Sequence, residues 1–117
     1  MNSDSIPIRE ILFTNEFEDF YKQQRPKVLE KIDYGINIIR FFKVISNKLV
    51  KKLSNCELYE IRISVDNEYR IIMFTVDNRS FISARKVVLI NGFIKKSTKD
   101  YVKEINKAER ILNKFEI

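Results

Sequence analysis

Two arginines stand inside apolar, strand-like segments in the second half of the chain. Arg62 lies in the segment LYEIRI, and Arg70 lies in the segment YRIIMF. A guanidinium stays charged when it is buried, so each arginine needs a charged partner, a hydrogen-bond partner or water. A third apolar run, residues 87–94, ends in the adjacent lysines Lys95 and Lys96. If the three segments share one small sheet, these cations form a phosphate or oxyanion site that needs no metal.

The absence of other reactive side chains narrows the chemistry. The chain has no histidine, and Cys56 is its only cysteine. These counts exclude an intramolecular disulfide, cysteine or histidine zinc sites, and Ser-His-Asp triads. Proton transfer in an enzyme of this composition would fall to Lys, Tyr, Asp, Glu, Arg or the substrate itself. We therefore predict no metal and no cofactor.

The direction of the two arginines depends on the turn between their strands. Alternation puts Glu60 and Arg62 on one face of the first strand and its apolar residues on the other, which should meet the helices. Glu60 is then a candidate orienting partner for Arg62. A two-residue loop would point Arg70 into the core, whereas a three-residue loop would pair Arg70 with Ser64 and put both arginines on one face. Because an unpaired buried arginine is costly, we predict the three-residue loop.

Apolar spacing along the chain predicts the elements that must position these residues. The first elements in chain order are an edge strand within 6–13, a helix from Asn15 to about Gln24 that opens with an Asn15–Glu18 capping box, and a helix from Pro26 to about Ile45, in which Gly35 allows close packing on the sheet. Three strands follow, at about 58–65, 69–77 and 80–90. The last element is a C-terminal helix that opens with a Ser97–Asp100 capping box and buries Tyr101, Ile105, Ala108, Leu112 and Phe115. Residues 46–57 are predicted to form a basic loop.

This order, βααβββα, describes an α+β fold. We predict a small antiparallel sheet, two N-terminal helices and one C-terminal helix, with the helices on one face and the other face partly open. At 117 residues the chain is long enough for one core and too short for two, so residues 1–117 form a single domain.

The net charge of +6 and the pI near 9.5 favour a polyanionic partner, nucleic acid above all. The alternative is that the excess lysines only solvate helix faces. No apolar run approaches the roughly 20 residues of a membrane span, and the first residues lack the features of a signal peptide. We therefore expect a cytoplasmic protein without a membrane partner.

The segments LYEIRI, YRIIMF and VVLINGFIKKS, in this order and leading into a helix, resemble the HigB-like, phage-derived branch of the RelE/ParE toxin superfamily. The resemblance covers about residues 15–112. It implies a toxin of a bacterial type II toxin–antitoxin pair, and most such toxins cleave messenger RNA in the ribosomal A site without a metal. The implied partners are the ribosome with its message and a cognate antitoxin, expected to be a helix-turn-helix DNA-binding protein.

The resemblance also implies roles for individual residues. Arg62, Arg70 and Lys96 are the predicted catalytic residues, because all three can stabilise charge on a pentavalent phosphate. The predicted nucleic-acid-binding residues are Lys51, Lys52 and Lys95.

One position departs from the family pattern. Many relatives have histidine immediately before the G-F dipeptide, where this chain has Asn91. An amide does not shuttle protons near neutral pH, so a general base at this position is not expected. Two alternatives stay open: a non-catalytic nucleic-acid-binding protein, and a ParE-like poison of DNA gyrase that acts by protein binding.

Overall fold

The structure is a computed structural model that describes residues 6–117. Its elements in chain order are β1 (Glu10–Phe13), α1 (Asn15–Lys22), α2 (Pro26–Phe41), β2 (Val50–Lys52), β3 (Leu58–Val65), β4 (Asn67–Thr75), β5 (Lys86–Ile94) and α3 (Thr98–Lys114). The predicted α+β class, with two N-terminal helices and one C-terminal helix, is confirmed. Across the described residues, no helix combines the length and apolar character that a membrane crossing requires.

The sheet is mixed, with the strand order β1-β5-β4-β3-β2. Strands β2 to β5 pair antiparallel, but β1 lies parallel to β5. The predicted antiparallel pairing therefore holds for β2 to β5 but not for β1, while the predicted edge position of the first strand is confirmed. The prediction that 46–57 is only a loop is also wrong. The buried Val50 anchors the short strand β2 against Ile61 of β3.

The helices cover both faces of the sheet. Helices α1 and α2 pack on one face through Phe17, Val28, Ile32 and Ile39, among others, whereas α3 packs on the opposite face over Ile72, Val88, Ile90 and Phe93. The prediction that all helices share one face is wrong. The central strands are apolar on both sides, so the second face also needs cover. Helix α3 lies over β5, and on that face Lys51 of β2 and Arg62 and Ser64 of β3 keep access to solvent.

Local signals in the sequence fix the helix ends and one close contact. Ser97 N donates to Asp100 Oδ2 over 3.0 Å, which confirms the capping box that begins α3. At α1 the cap is Thr14 rather than Asn15, since Thr14 Oγ1 accepts a hydrogen bond from Phe17 N. Gly35 lies so close to β3 that an added Cβ would stand 3.3 Å from Ile63 Cδ1. The predicted close packing of α2 on the sheet is thus confirmed.

The β3–β4 turn is tighter than predicted. Val65 pairs with Asn67, and Asp66 between them has a φ of 63°, a left-handed conformation that Asp tolerates better than most residues. The predicted pairing of Ser64 with Arg70 is therefore wrong, because Arg62 itself stands opposite Arg70. This register differs from the predicted one by two residues. The faces are unchanged by an even shift, so both arginines lie on one side of the sheet.

Candidate nucleic-acid site

The candidate site is built on the face of the sheet that α3 only partly covers. Arg62 and Arg70 lie opposite each other on β3 and β4, and Glu60 lies between their guanidinium groups. Glu60 Oε1 is 3.6 Å from Arg62 Nε, and Glu60 Oε2 is 3.7 Å from Arg70 Nε. The carboxylate thus offsets the repulsion between two cations that pair directly across the ladder. The predicted orienting role of Glu60 agrees with this geometry.

The two arginines differ in accessibility. The Arg62 side chain is 32% exposed, whereas that of Arg70 is only 2% exposed. Arg70 is held by several partners: its Nε donates to Tyr101 Oη over 2.8 Å, its Nη1 donates to the Tyr69 carbonyl over 2.9 Å, and its Nη2 is 3.4 Å from Glu68 Oε1. The Arg62 guanidinium is therefore accessible to solvent, whereas the N–H groups of Arg70 bind partners inside the protein.

Tyr101 belongs to the site, although the sequence predicted it only as an apolar residue of α3. Its ring packs edge-on against Phe93 while its hydroxyl reaches Arg70. Burial and then a hydrogen bond to Glu60 raise the pKa of Tyr101 above its ordinary value, and the Arg70 guanidinium opposes this effect. The phenol therefore stays protonated beside Glu60, while its oxygen accepts from Arg70. A tyrosine at the apolar side of an amphipathic helix near buried charges is the signal that could have revealed it.

Glu68 is the second carboxylate that pairs with Arg70. Ser64 Oγ donates a hydrogen bond to its carboxylate, which lowers the pKa of Glu68; burial opposes this and Arg70 adds to it. The Glu68 carbonyl also accepts from Lys95 N over 2.7 Å, so β5 is tied to this end of the hairpin. Lys95 Nζ lies 5.7 Å from the centre of the Tyr101 ring. The structure thus brings Lys95 to the cluster.

The other three predicted lysines lie in three different places. Lys51 stands opposite Glu60 in the β2–β3 ladder, on the face of the arginines, and is exposed. Lys96 is exposed at the start of α3, where its backbone N donates to Asp100. Lys52 is not brought to the cluster: it pairs with Tyr59 on the opposite face, and its Nζ donates to the carbonyls of Leu53 and Cys56.

Asn91 lies beneath α3 rather than at the exposed site. It is 1% exposed, and its Nδ2 donates to the Glu104 carbonyl and to Glu104 Oε1, both over 3.3 Å. Its Oδ1 has no hydrogen-bond partner among the described residues. In this arrangement Asn91 fastens α3 to β5, and contact with a substrate would require α3 to move.

The cluster is a surface, not a cavity. A groove of about 720 Å³ lies elsewhere, between α1 and α2, and neither arginine lines it. An open, positively charged surface fits an extended polyanion better than a small molecule, which is normally enclosed by its pocket.

Comparisons with known proteins agree with this architecture. The sequence model of the phage-derived, Gp49-like protein family (DUF891) matches residues 15–113. Among solved structures, a double mutant of the E. coli toxin RelE in the free state superposes with a TM-score of 0.61 at 13% identity, over 86% of this chain and 97% of that one. No curated protein matches the sequence. The family model agrees with the predicted phage-derived character, and the structural match confirms the predicted RelE-like fold; the place in the RelE/ParE superfamily and the HigB-like branch stay predictions.

Proposed function

The chain belongs to the Gp49-like family of phage-derived proteins, and we propose that it is the toxin of a type II toxin–antitoxin pair that cleaves messenger RNA on the ribosome. The observation that carries this proposal is the Arg62–Glu60–Arg70 cluster on the open face of a RelE-like fold. A toxin of this kind works in the cytoplasm, where the ribosomes are.

Arg62 is the residue we assign to the scissile phosphate. It is the more exposed of the two arginines, and Glu60 holds its guanidinium from behind. Lys51 and Lys95 add positive charge on the same face, and Lys96 follows Lys95 at the start of α3. One preorganised donor of this kind is worth about 3–4 kcal/mol of transition-state stabilisation. Arg62 with Lys96 therefore supplies substantial rate without a strong base.

Arg70 acts in this proposal through its neighbours. Its burial keeps it from an RNA phosphate, while its bonds to Tyr101 and Glu60 fix the position of the carboxylate that orients Arg62. We therefore reassign Arg70 from the predicted catalytic set to a positioning role, and keep Arg62 and Lys96 as the catalytic pair.

The reaction that suits these residues is attack by the RNA's own 2′-oxygen on the adjacent phosphorus. The bond from phosphorus to the 5′-oxygen breaks, and a proton passes overall from the 2′-hydroxyl to that oxygen. The products are a 2′,3′-cyclic phosphate and a free 5′-hydroxyl. Arg62 and Lys96 stabilise the extra negative charge on the pentavalent phosphate, and the proposal needs neither a metal nor a cofactor.

The proposed antitoxin covers this same face. An acidic or helical segment laid over Arg62 and Lys96 would mask the charge that RNA must meet, and complementary charge also speeds association. We propose that this partner is the helix-turn-helix protein implied by the HigB-like resemblance. A complex with the antitoxin wholly on the α1–α2 face would contradict the masking of the site.

The chemistry of the RNA ends tests the proposed reaction. Purified protein is mixed with ribosomes carrying a defined message, and the fragments are 5′-labelled by a kinase with and without prior phosphatase treatment. We expect cuts at A-site codons and fragments that label without phosphatase. Fragments with 5′-phosphate and 3′-hydroxyl ends would contradict attack by the 2′-oxygen.

The variant Arg62→Gln tests the site itself. We expect it to abolish cleavage and relieve growth arrest while the free energy of unfolding changes by less than about 1 kcal/mol, as for partly exposed ion pairs. The matched control is Arg25→Gln, an exposed arginine that is ion-paired with Asp66 on the other side of the turn. This control should arrest growth like the wild type. Full toxicity of Arg62→Gln would overturn the assignment.

A second candidate function is a non-catalytic RNA-binding protein. It is favoured by Asn91, which replaces the histidine of many relatives and is buried against Glu104. The same assay separates the two candidates, because a non-catalytic protein would occupy the ribosome or message and leave no fragments. Growth arrest with intact message and inhibited gyrase would instead indicate a ParE-like poison.

A further inference from the structure

The outer face of α3 carries an uninterrupted line of positive charge. Its members are the exposed residues Lys99, Lys103, Lys107, Arg110 and Lys114, which we call the α3 stripe. At 3.6 residues per turn they fall within an arc of about 80°, roughly opposite the side that packs on the sheet through Ala108 and Leu112. The stripe therefore faces solvent along the whole helix, for about 22 Å at 1.5 Å per residue.

Like charges repeat along the stripe at the spacing of one helical turn. Lys103 follows Lys99, and Lys107 follows Lys103, each after four residues, a spacing at which like charges destabilise a helix. Asp100 lies three residues before Lys103, and Glu104 lies three residues before Lys107, within reach for ion pairs. Within the described part of the chain, no stripe residue forms a salt bridge.

Helix α2 provides a matched pair of lysines in the same molecule. Lys27 and Lys31 are also exposed and four residues apart, but they are only two cations, whereas five share one arc of α3. The α2 pair and a pair taken from the stripe therefore match in charge and spacing and differ in the number of cations beside them.

We propose that the α3 stripe binds the sugar–phosphate backbone of RNA at a place separate from the scissile phosphate. RNA is the polyanion of choice because the N-terminal end of the stripe lies close to the candidate site along the chain: Lys99 comes three residues after Lys96, which is assigned to that site. Regularly spaced cations suit a chain of regularly spaced phosphates, and such contacts give affinity without sequence preference. The choice of RNA as the ligand rests on the proposed function.

The salt dependence of RNA binding tests the stripe directly. A fluorescent single-stranded RNA with 2′-O-methyl groups, which cannot be cleaved by its own 2′-oxygen, is titrated with protein from 50 to 300 mM salt. Three proteins are compared: the wild type, Lys103→Gln/Lys107→Gln on the stripe, and Lys27→Gln/Lys31→Gln on α2. Both variants lose the same charge at the same helical spacing, so non-specific effects of net charge are matched.

We expect the stripe variant to flatten the plot of log affinity against log salt by about 1.4, at about 0.7 for each lost phosphate contact on a single strand. The α2 variant should keep the wild-type slope. An equal change of slope in both variants would show that only net charge matters and would overturn the proposal. So would a stripe variant that binds RNA like the wild type but no longer binds phosphatidylserine vesicles, since the stripe would then serve a membrane surface.

A further variant separates the stripe from the proposed cleavage. Arg62→Gln should abolish cleavage and shift the slope by no more than one contact, so the stripe's contribution persists. Suppose that neither the wild type nor any variant cleaves RNA, but Lys103→Gln/Lys107→Gln still flattens the plot of log affinity against log salt. The nuclease proposal is then wrong, and RNA binding by the stripe is supported. If the wild type cleaves RNA and Lys103→Gln/Lys107→Gln keeps the wild-type slope, only the proposal that the stripe binds RNA is wrong.

Discussion

Arg9 and Arg70 are both almost completely buried, with 1% and 2% of their surface exposed, yet their surroundings differ in kind. Arg9 Nη1 donates to the carbonyls of Ile39 and Phe42, and its Nη2 donates to those of Lys43 and Phe81. Its guanidinium also lies 3.9 Å from the centre of the Phe81 ring. All of these partners are uncharged.

Arg70, by contrast, is surrounded by the groups that the proposed site uses. Its partners include the carboxylates of Glu60 and Glu68 and the hydroxyl of Tyr101, and Arg62 stands directly across the ladder at the edge of solvent. A buried arginine with neutral partners joins segments of backbone, whereas one with charged partners sets the position of other charges. Burial alone therefore does not distinguish a structural arginine from one that serves a site.

The largest effect on stability is expected at Arg9. In Arg9→Met four carbonyl groups lose a charged donor, and each such bond contributes about 1.5–3 kcal/mol when counted singly. We expect the free energy of unfolding to fall by at least about 3 kcal/mol in urea denaturation, since the losses are not additive. Arg79→Met, at an exposed position, is the control and should change little. A loss at Arg9 no larger than at Arg79 would mean that the carbonyls find other donors.

Arg70→Gln should cost less, about 2 kcal/mol, because Glu60 keeps Arg62 as a partner and the site borders on solvent. Growth arrest should be relieved as well, since Glu60 is no longer held in place.

A double variant tells whether the cost at Arg70 comes from its charged neighbour. Glu60→Gln/Arg70→Gln removes both charges, so it should be more stable than the sum of the two single changes predicts. Additive losses would show that Arg70 is not coupled to Glu60, and the contrast with Arg9 would then rest on Glu68 alone.

The sequence predicted the part of this contrast that periodicity can reveal. Strand β3 was predicted over 58–65, as observed, because alternation of polar and apolar residues is a strong local signal. Alternation also predicted that Arg62 and Arg70 share one face, which is correct, although the register behind that prediction was wrong. The turn depends on the backbone conformation of a single residue, Asp66, which alternation does not report.

What sequence could not reveal depends on contacts between distant segments. Arg9 is 30 to 72 residues from its four carbonyl partners, and nothing near it in the chain indicates that it is buried. Tyr101 was assigned to the apolar side of α3 correctly, but its polar end meets Arg70 only because α3 crosses to the other face of the sheet. The start of β5 was predicted too early, at 80 instead of Lys86, because residues 80–85 include the apolar Phe81 and Ala84, which are buried without pairing in the sheet.

The smallest effect is expected at Tyr101, and its pH dependence gives the finest test of the Arg70 side. Tyr101→Phe removes the acceptor for Arg70 Nε and the hydroxyl beside Glu60, which should cost about 1 kcal/mol near neutral pH. The pKa of Tyr101 is raised in the folded protein, so the neutral phenol contributes stability below its unfolded pKa of about 10, and this contribution is lost as pH rises through the folded value. The free energy of unfolding, measured by urea denaturation from pH 8 to pH 11, should therefore fall more steeply for the wild type than for Tyr101→Phe.

Tyr34→Phe, at an exposed position, is the control and should follow the wild type. Parallel curves for the wild type and Tyr101→Phe would show that the phenol is not held between Arg70 and Glu60, and Arg70 would then lose the neighbour that most distinguishes it from Arg9.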